Sequence, residues 1–307
     1  MSRTPSVRRR RRAGLAAGAA LALAATCVLA APAAAASPGG DRKDCGHRAV
    51  PASKISFQLY TYRNWIAQIG QDAVFAELAD IGYKQVQPYV ATYNTPAEEL
   101  KALLKKHHLK ATSGQGNVNE ATFDPTIEYA KTIKQRYMGS GGFAAPGIGS
   151  YEDTLATAAT LNRLGERSVK AGVGKIFGHN HTQEFTTKYP DPVTGELKSA
   201  WQIMMENTDP RYVVFEVDIF WAEDAGVDTA ALLRKYGKRI ELLHIKDGFL
   251  NGDERGVPSD VGEGELNWGP ILEAARPHVQ QYIVERDNAP ASRETAEDSF
   301  RFLTCGK

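Results

Sequence analysis

From Lys54 onward the chain alternates between two hydrophobic rhythms. Short apolar or β-branched runs are each followed by a longer stretch whose apolar positions recur at helical spacing. The short runs predict strands over Ile55–Tyr60, Tyr83–Tyr89, Leu109–Ser113, Arg136–Gly139, Lys175–His181, Tyr212–Asp218, Ile240–Ile245 and Gln281–Arg286. The longer ones predict helices near 70–81, 95–107, 124–134, 151–172, 198–206, 228–236, 268–276 and 291–303. Eight pairs of about 34 residues each match the unit of a (β/α)8 TIM barrel, and no break in composition marks a second domain. The rival α/β architecture, an open doubly wound sheet, usually carries a Gly-rich turn after its first strand. Here Tyr60-Thr61-Tyr62-Arg63-Asn64 stands in that place. The expected fold is therefore a TIM barrel over 54–307.

The first 53 residues do not join this alternation. Arg8 to Arg12 precede an Ala- and Leu-rich run from Ala13 to Ala31, and Ala34-Ala35-Ala36 offers a small-residue cleavage site. This is the anatomy of a secretory signal peptide over 1–37, followed by a Pro-, Gly- and charge-rich leader over 38–53. It predicts a secreted protein with no membrane span after processing. The Sec and twin-arginine routes both stay open, a membrane anchor is the plainer alternative, and Cys27 admits a lipoprotein reading that Thr26 fits poorly. An oxidising destination allows Cys45 and Cys305 to pair, since the first and last elements of a barrel are neighbours; two free thiols are the alternative. Closing so long a loop would contribute roughly 5 kcal/mol, less any strain.

Charge follows the same division. The chain has 37 basic and 36 acidic residues, but six of the arginines lie within the first 37 residues, which hold no acid. The remainder has 31 basic groups against 36 acidic ones, a formal charge of −5. A mildly acidic body argues against a nucleic-acid partner, whose phosphates must be neutralised.

The informative chemistry sits at the ends of the predicted strands. Side chains at i and i+2 share a face, and a barrel's catalytic mouth lies at the C-terminal ends of its strands. Strand five ends with His179 and His181 in phase, strand six with Glu216 and Asp218, strand seven with His244 and Lys246, and strand eight with Glu285 and Asp287. Charged groups are costly to bury unpaired. Consecutive strands sending His179, Asp218, His244 and Glu285 into one mouth form an economical divalent-metal site, and imidazole with carboxylate suits Mn, Zn, Co, Fe or Mg. Each residue alone has a plainer role: a strand-end His is commonly structural, Asp218 can cap a helix, and Glu285 with Arg286 can be a surface pair. His107 and His108 read as solvated at a helix end, His278 as structural, and His47 as part of the leader. The metal reading rests on the four residues jointly.

Several phrases resemble the sugar phosphate isomerase/epimerase family, with its xylose-isomerase-like barrel, and within it an exported bacterial-type member. They are Gln58-Leu59-Tyr60, Gly82-Tyr83-Lys84-Gln85-Val86-Gln87, His179-Asn180-His181 with Glu184-Phe185, Val217-Asp218-Ile219-Phe220-Trp221, His244-Ile245-Lys246-Asp247, Gly262-Glu263-Gly264-Glu265-Leu266 and Val284-Glu285. The resemblance runs from about Ile55 to Phe302 and places metal ligands on Asp218, His244 and Glu285. Epimerases carry Glu at the end of strand five, where this chain has His179, so the fourth ligand is His179 or Glu184. Gln87 stands where the family often has Glu, and Gln115 where it often has His. Endonuclease IV, in the same superfamily, needs a three-zinc cluster and a DNA-binding face that this acidic body does not provide.

The resemblance implies an isomerase or epimerase that removes a proton beside the carbonyl of a free sugar or keto-sugar. Glu285 and His181 are the candidates for proton transfer, and Lys246 for steadying oxyanion charge. Gln58, Tyr60, Gln87, Glu184 and Trp221 are candidates for holding a small-molecule carbohydrate. A 3-keto-glycoside lyase or hydratase on the same site, or an exported carbohydrate-binding barrel without catalysis, are the alternatives. The sugar, the metal and a homo-oligomeric state are left open.

Overall fold

A computed structural model describes residues 49–306. The segment 1–37 expected to be a signal peptide, most of the expected leader, Cys27, Cys45 and His47 lie outside the described residues. Cys305, just past the last helix, is disulfide-bonded; the Cys45 half of the expected pair is not among the described residues. Within them, no helix is long and apolar enough to cross a membrane.

Eight parallel strands form the barrel: β1 (Ile55–Gln58), β2 (Gln85–Gln87), β3 (Ser113–Gln115), β4 (Tyr137–Gly139), β5 (Lys175–His179), β6 (Val213–Asp218), β7 (Ile240–Ile245) and β8 (Gln281–Val284). Apart from β2 and β3, each pairs with its sequence neighbours, and β8 pairs with β1 through Ile55–Tyr282, Ser56–Ile283 and Phe57–Val284. Isolated parallel bridges, Gln85–Lys110 and Tyr89–Gln115, link the β2 and β3 segments and complete the ring. Outside it run α1 (Gln71–Ile81), α2 (Ala97–Lys106), α3 (Phe123–Ile133), α4 (Tyr151–Lys170), α5 (Ala200–Asn207), α6 (Thr229–Tyr236), α7 (Trp268–Ala275) and α8 (Glu294–Thr304). All eight expected helices are present because their apolar stripes have only one place to go, the outer face of the ring. Side-chain caps fix where several begin: Ser150 accepts from Asp153 N, Ser199 from Gln202 N, and Asp228 from Ala231 N.

Strand three corrects the sequence reading. Its ladder lies over Ser113–Gln115 rather than Leu109–Ser113, with a bridge at Lys110. Gly114, just past the expected end, continues the strand. A Cβ on it would meet the Gln135 amide and the Tyr93 hydroxyl at 2.0 Å, so only glycine lets those side chains close over the ladder.

The interior is layered. Phe177, Val214, Leu242 and Ile283 pack together as an apolar floor, each at most 1% exposed. Gly139 makes room for this floor, since a Cβ there would strike the Phe177 ring at 2.2 Å. Two residues further along the same strands come His179, Glu216, His244 and Glu285. Two further again come His181, Asp218, Lys246 and Asp287. Period-two geometry thus converts three steps along each strand into floor, ring and mouth.

Candidate active site

The ring above the floor consists of buried ionisable groups. Glu216 and His244 are fully buried, and His179 is 2% exposed. The β6–β7 register sets Asp218 directly beside His244. His244 Nδ1 lies 2.7 Å from Glu285 Oε2, and its Nε2 lies 2.8 Å from Gln87 Oε1 and 3.1 Å from Glu216 Oε1. Every one of these partners accepts, so both ring nitrogens carry a proton. Burial alone would favour the neutral ring, but Glu216 and Glu285 outweigh it and raise the His244 pKa to about 10. Burial would likewise raise Glu216, yet the His244 and His179 imidazoles hold it down at about 2. Glu285, also desolvated, is kept well below the usual carboxylate range by Lys246 and His244.

The β1–β3 side of the mouth is built from neutral amides. Gln58 Nε2 donates to Gln87 Oε1 at 2.6 Å. Gln87 Nε2 donates to Ser113 Oγ at 2.9 Å and to Glu216 Oε2 at 2.5 Å. Gln115 Nε2 donates to Glu216 Oε1 at 2.7 Å. Both carboxylate oxygens of Glu216 are therefore engaged by amides that do not titrate. These contacts explain how a fully buried carboxylate is tolerated.

Two sets of ligand-type atoms converge within 4.8 Å, His179 with Glu216 and His244, and Asp218 with His244 and Glu285. Hydrogen bonding separates them. Glu216 is saturated as described. Asp218 Oδ2 and His179 Nδ1 are buried without a hydrogen-bond partner. Asp218 Oδ2 does lie 2.9 Å from Lys246 Nζ, and His179 Nδ1 lies 3.3 Å from Glu216 Oε1, but neither contact has hydrogen-bond angles. Orphaned lone pairs beside an imidazole and a second carboxylate are what a divalent cation would satisfy. The donor set of Asp218, His244 and Glu285, with His179 adjacent, fits such an ion. Asn180 supports it by exchanging two hydrogen bonds of 3.1 Å with the Asp218 backbone, while Asp218 Oδ1 caps the short helix Ile219–Asp224 through Trp221 N.

A cavity of about 610 Å3 opens above, lined by Tyr60, Tyr89, Val90, Gln115, Asn117, Ser140, Phe143, His179, His181, Lys246, Glu285 and Asp287, with Gly116, Gly141 and Gly142 of the loops after β3 and β4. His181 is half-buried. Desolvation and the neighbouring His179 lower its pKa to about 4, so it is a neutral base at pH 7. Lys246 is 1% exposed, and its ammonium lies 2.9 Å from oxygens of Asp218, Glu285 and Asp287. Those carboxylates overcome its burial and raise its pKa further.

The expected substrate-holding residues divide. Tyr60 is 38% exposed and lines the cavity, its ring 5.6 Å from Tyr89 and covered by the Arg63 guanidinium at 4.1 Å. Gln58 and Gln87 lie beneath the cavity, supporting ring residues. Glu184 Oε2 accepts from the His181 amide at 2.6 Å and so caps the helix Thr182–Thr186. Trp221 stands beside the site with its ring 5.5 Å from Lys246 Nζ. His107 is not solvated: its side chain is 12% exposed, with Nε2 2.6 Å from Asp72.

The sequence reading noted Glu216 and Asp287 only as in phase with Asp218 and Glu285, and gave neither a role. It also missed Asp247, which is fully buried and accepts from Gly248 N, Gly262 N and Trp268 Nε1, tying down the loop after β7. The i, i+2 phase was the available signal for the first two. Asp247 points the other way and had none.

An apolar floor, a ring of imidazole and carboxylate, and a cavity at the C-terminal ends of eight parallel strands define a barrel whose mouth is suited to a metal ion. The chain belongs to the xylose isomerase-like TIM barrel family, whose profile matches residues 75–304. It is 27% identical over 167 residues to inosose dehydratase from Geobacillus thermodenitrificans, a match covering 48% of this chain and 53% of that one. The chain thus spans about half the length of the curated relatives it matches. Its fold is similar to a sugar phosphate isomerase/epimerase from Parabacteroides distasonis (TM-score 0.65, 22% identity, 83% of this chain and 95% of that one). It is also similar in fold to the IOLI protein with a bound zinc atom (TM-score 0.59, 16% identity, 82% and 96%).

Proposed function

We propose that the protein is a metal-dependent sugar isomerase or epimerase that removes a proton beside the carbonyl of a free sugar or keto-sugar. The observation that carries this reading is the convergence of Asp218, His244 and Glu285, with orphaned lone pairs on Asp218 and the adjacent His179, under one cavity. Asp218, His244, Glu285 and His179 would hold the ion. His179 is favoured over Glu184 as the fourth ligand because the Glu184 carboxylate already serves the His181 amide. When bound, a divalent ion supplies Lewis-acid stabilisation of the oxyanion that develops on the substrate.

The remaining chemistry belongs to the side chains. Glu285 is held ionised and both its contacts fall on Oε2, so it is available to accept a proton. His181 is neutral and lines the same cavity, so it accepts or returns one. Lys246 contributes positive charge where negative charge develops. Among the cavity-lining residues Lys246 is the single Lys or Arg, and three carboxylates already engage it. An uncharged sugar therefore fits better than a sugar phosphate. The likeness to inosose dehydratase supports a second outcome from the same proton abstraction, loss of a β-leaving group to give a lyase or hydratase. A signal peptide over 1–37, together with the disulfide at Cys305, would fit export to an oxidising compartment.

Metal-loaded protein incubated with a panel of keto-sugars in deuterated water should incorporate deuterium at the carbon beside the carbonyl. Recovery of rearranged sugar identifies the isomerase, and a dehydrated product the lyase. Bound metal and bound sugar with no exchange across the panel would refute catalysis by proton abstraction.

A further inference from the structure

The Lys246 ammonium sits 2.9 Å from Asp218 Oδ2, 2.9 Å from Glu285 Oε2 and 2.9 Å from Asp287 Oδ2. Asp218 and Glu285 also belong to the cluster of ligand-type atoms with His244. The ammonium thus already occupies the negative charge that a divalent ion would use. Its three contacts differ in kind. The one to Asp287 has hydrogen-bond geometry. Asp218 Oδ2 has no hydrogen-bond partner, so its hold on Lys246 is one of charge alone. Asp287 stands at the cavity, with 26% of its side chain exposed, whereas Asp218 is fully buried. A directional anchor therefore lies on the open side of the lysine and non-directional attraction on the closed side.

We propose that Lys246 is a tethered counter-cation: it neutralises Asp218 and Glu285 in the metal-free protein, gives them up when the metal binds, and is then held by Asp287 at the substrate cavity. The proposal rests on the metal-site reading above. Two cations cannot both be well placed on one pair of buried carboxylates, because their mutual repulsion is screened little at such depth. Exchange of one for the other conserves the local charge compensation. The metal-free barrel remains compensated, and arrival of the ion and presentation of Lys246 to a substrate oxygen become one event.

The test is calorimetric titration of Mn2+ into the chelator-stripped full chain and its variants, with thermal melts of each. Lys246→Met should bind Mn2+ at least tenfold more tightly than the parent, melt lower without metal, and regain more stability on loading. Asp287→Asn should bind Mn2+ several-fold more weakly, because the displaced ammonium loses its anchor. Parent-like or weaker binding by Lys246→Met, or tighter binding by Asp287→Asn, would overturn the exchange. If the parent and Lys246→Met both take up Mn2+ equally while Asp218→Ala takes up none, the metal site stands and the exchange alone fails. If none binds Mn2+ and none binds Zn2+ in a parallel titration, both readings fail. Should Lys246→Met not fold, acetylation of Lys246 in the parent, followed by mass spectrometry, decides the matter. Zn2+ should accelerate the labelling, and an unchanged or slower rate would overturn the proposal.

Discussion

The two halves of the barrel mouth solve the same problem by opposite means. On β5 to β8 the inward positions carry His179, Glu216, Asp218, His244, Lys246 and Glu285, all buried and ionisable. On β1 to β3 the corresponding positions carry Gln58, Gln87 and Gln115, equally buried but neutral. The charged half supplies ligands and proton acceptors. The amide half supplies oriented dipoles that fix Glu216 and His244 without adding charge. A glutamate at position 87 would set a second carboxylate against Glu216, where the Gln87 amide now donates at 2.5 Å, and the pair would have to take up a proton. The difference teaches that a buried metal-competent cluster needs a non-titrating scaffold as much as it needs ligands.

Breaking the charged half should have the largest effect. Asp218→Ala and His244→Ala should each lower metal affinity by about a hundredfold or more, read by metal analysis after dialysis, whereas His107→Ala, remote at the C-terminal cap of α2, should retain the parental content. Breaking the amide half should be milder but measurable. Gln87→Leu removes hydrogen bonds to Gln58, Ser113, Glu216 and His244. It should cost about 2–4 kcal/mol in urea unfolding and reduce metal affinity by about 10–100-fold. Equal metal affinity in Gln87→Leu and the parent would show the amides to be passive.

Acidity sharpens the comparison further. His244 is raised to about 10 and must release a proton before one of its nitrogens can coordinate. Protons therefore compete with the ion throughout the range below that value. Metal affinity should rise with pH between about 6 and 9, by up to about tenfold per unit, with proton release visible as a buffer-dependent heat. The glutamines contribute no such slope. The smallest effect belongs to the cavity rim. Tyr60→Ala should raise KM for a sugar substrate by about three- to tenfold through lost ring contact, leaving metal content unchanged.

The sequence made the elements legible because periodicity is local. All eight helices and the inward phase of β5 to β8 follow from residue spacing alone. The true span of β3 was not legible, because what requires Gly114 there, the Gln135 amide and Tyr93 hydroxyl closing over the strand, comes from residues about twenty positions away. Gln87 and Gln115 were legible as departures from a pattern, but their task depends on Glu216, which lies more than a hundred residues later in sequence. The share of Asp218 and Glu285 taken by Lys246 was likewise invisible, since phase tells which side chains face inward and not which ones meet.

The most direct measurement is anomalous diffraction from crystals of the protein loaded with Mn2+ or Zn2+. The account predicts one strong site per chain, with oxygens of Asp218 and Glu285 and a nitrogen of His244 at about 2.0–2.2 Å. A fully loaded crystal whose anomalous peaks all lie away from these three side chains would contradict it.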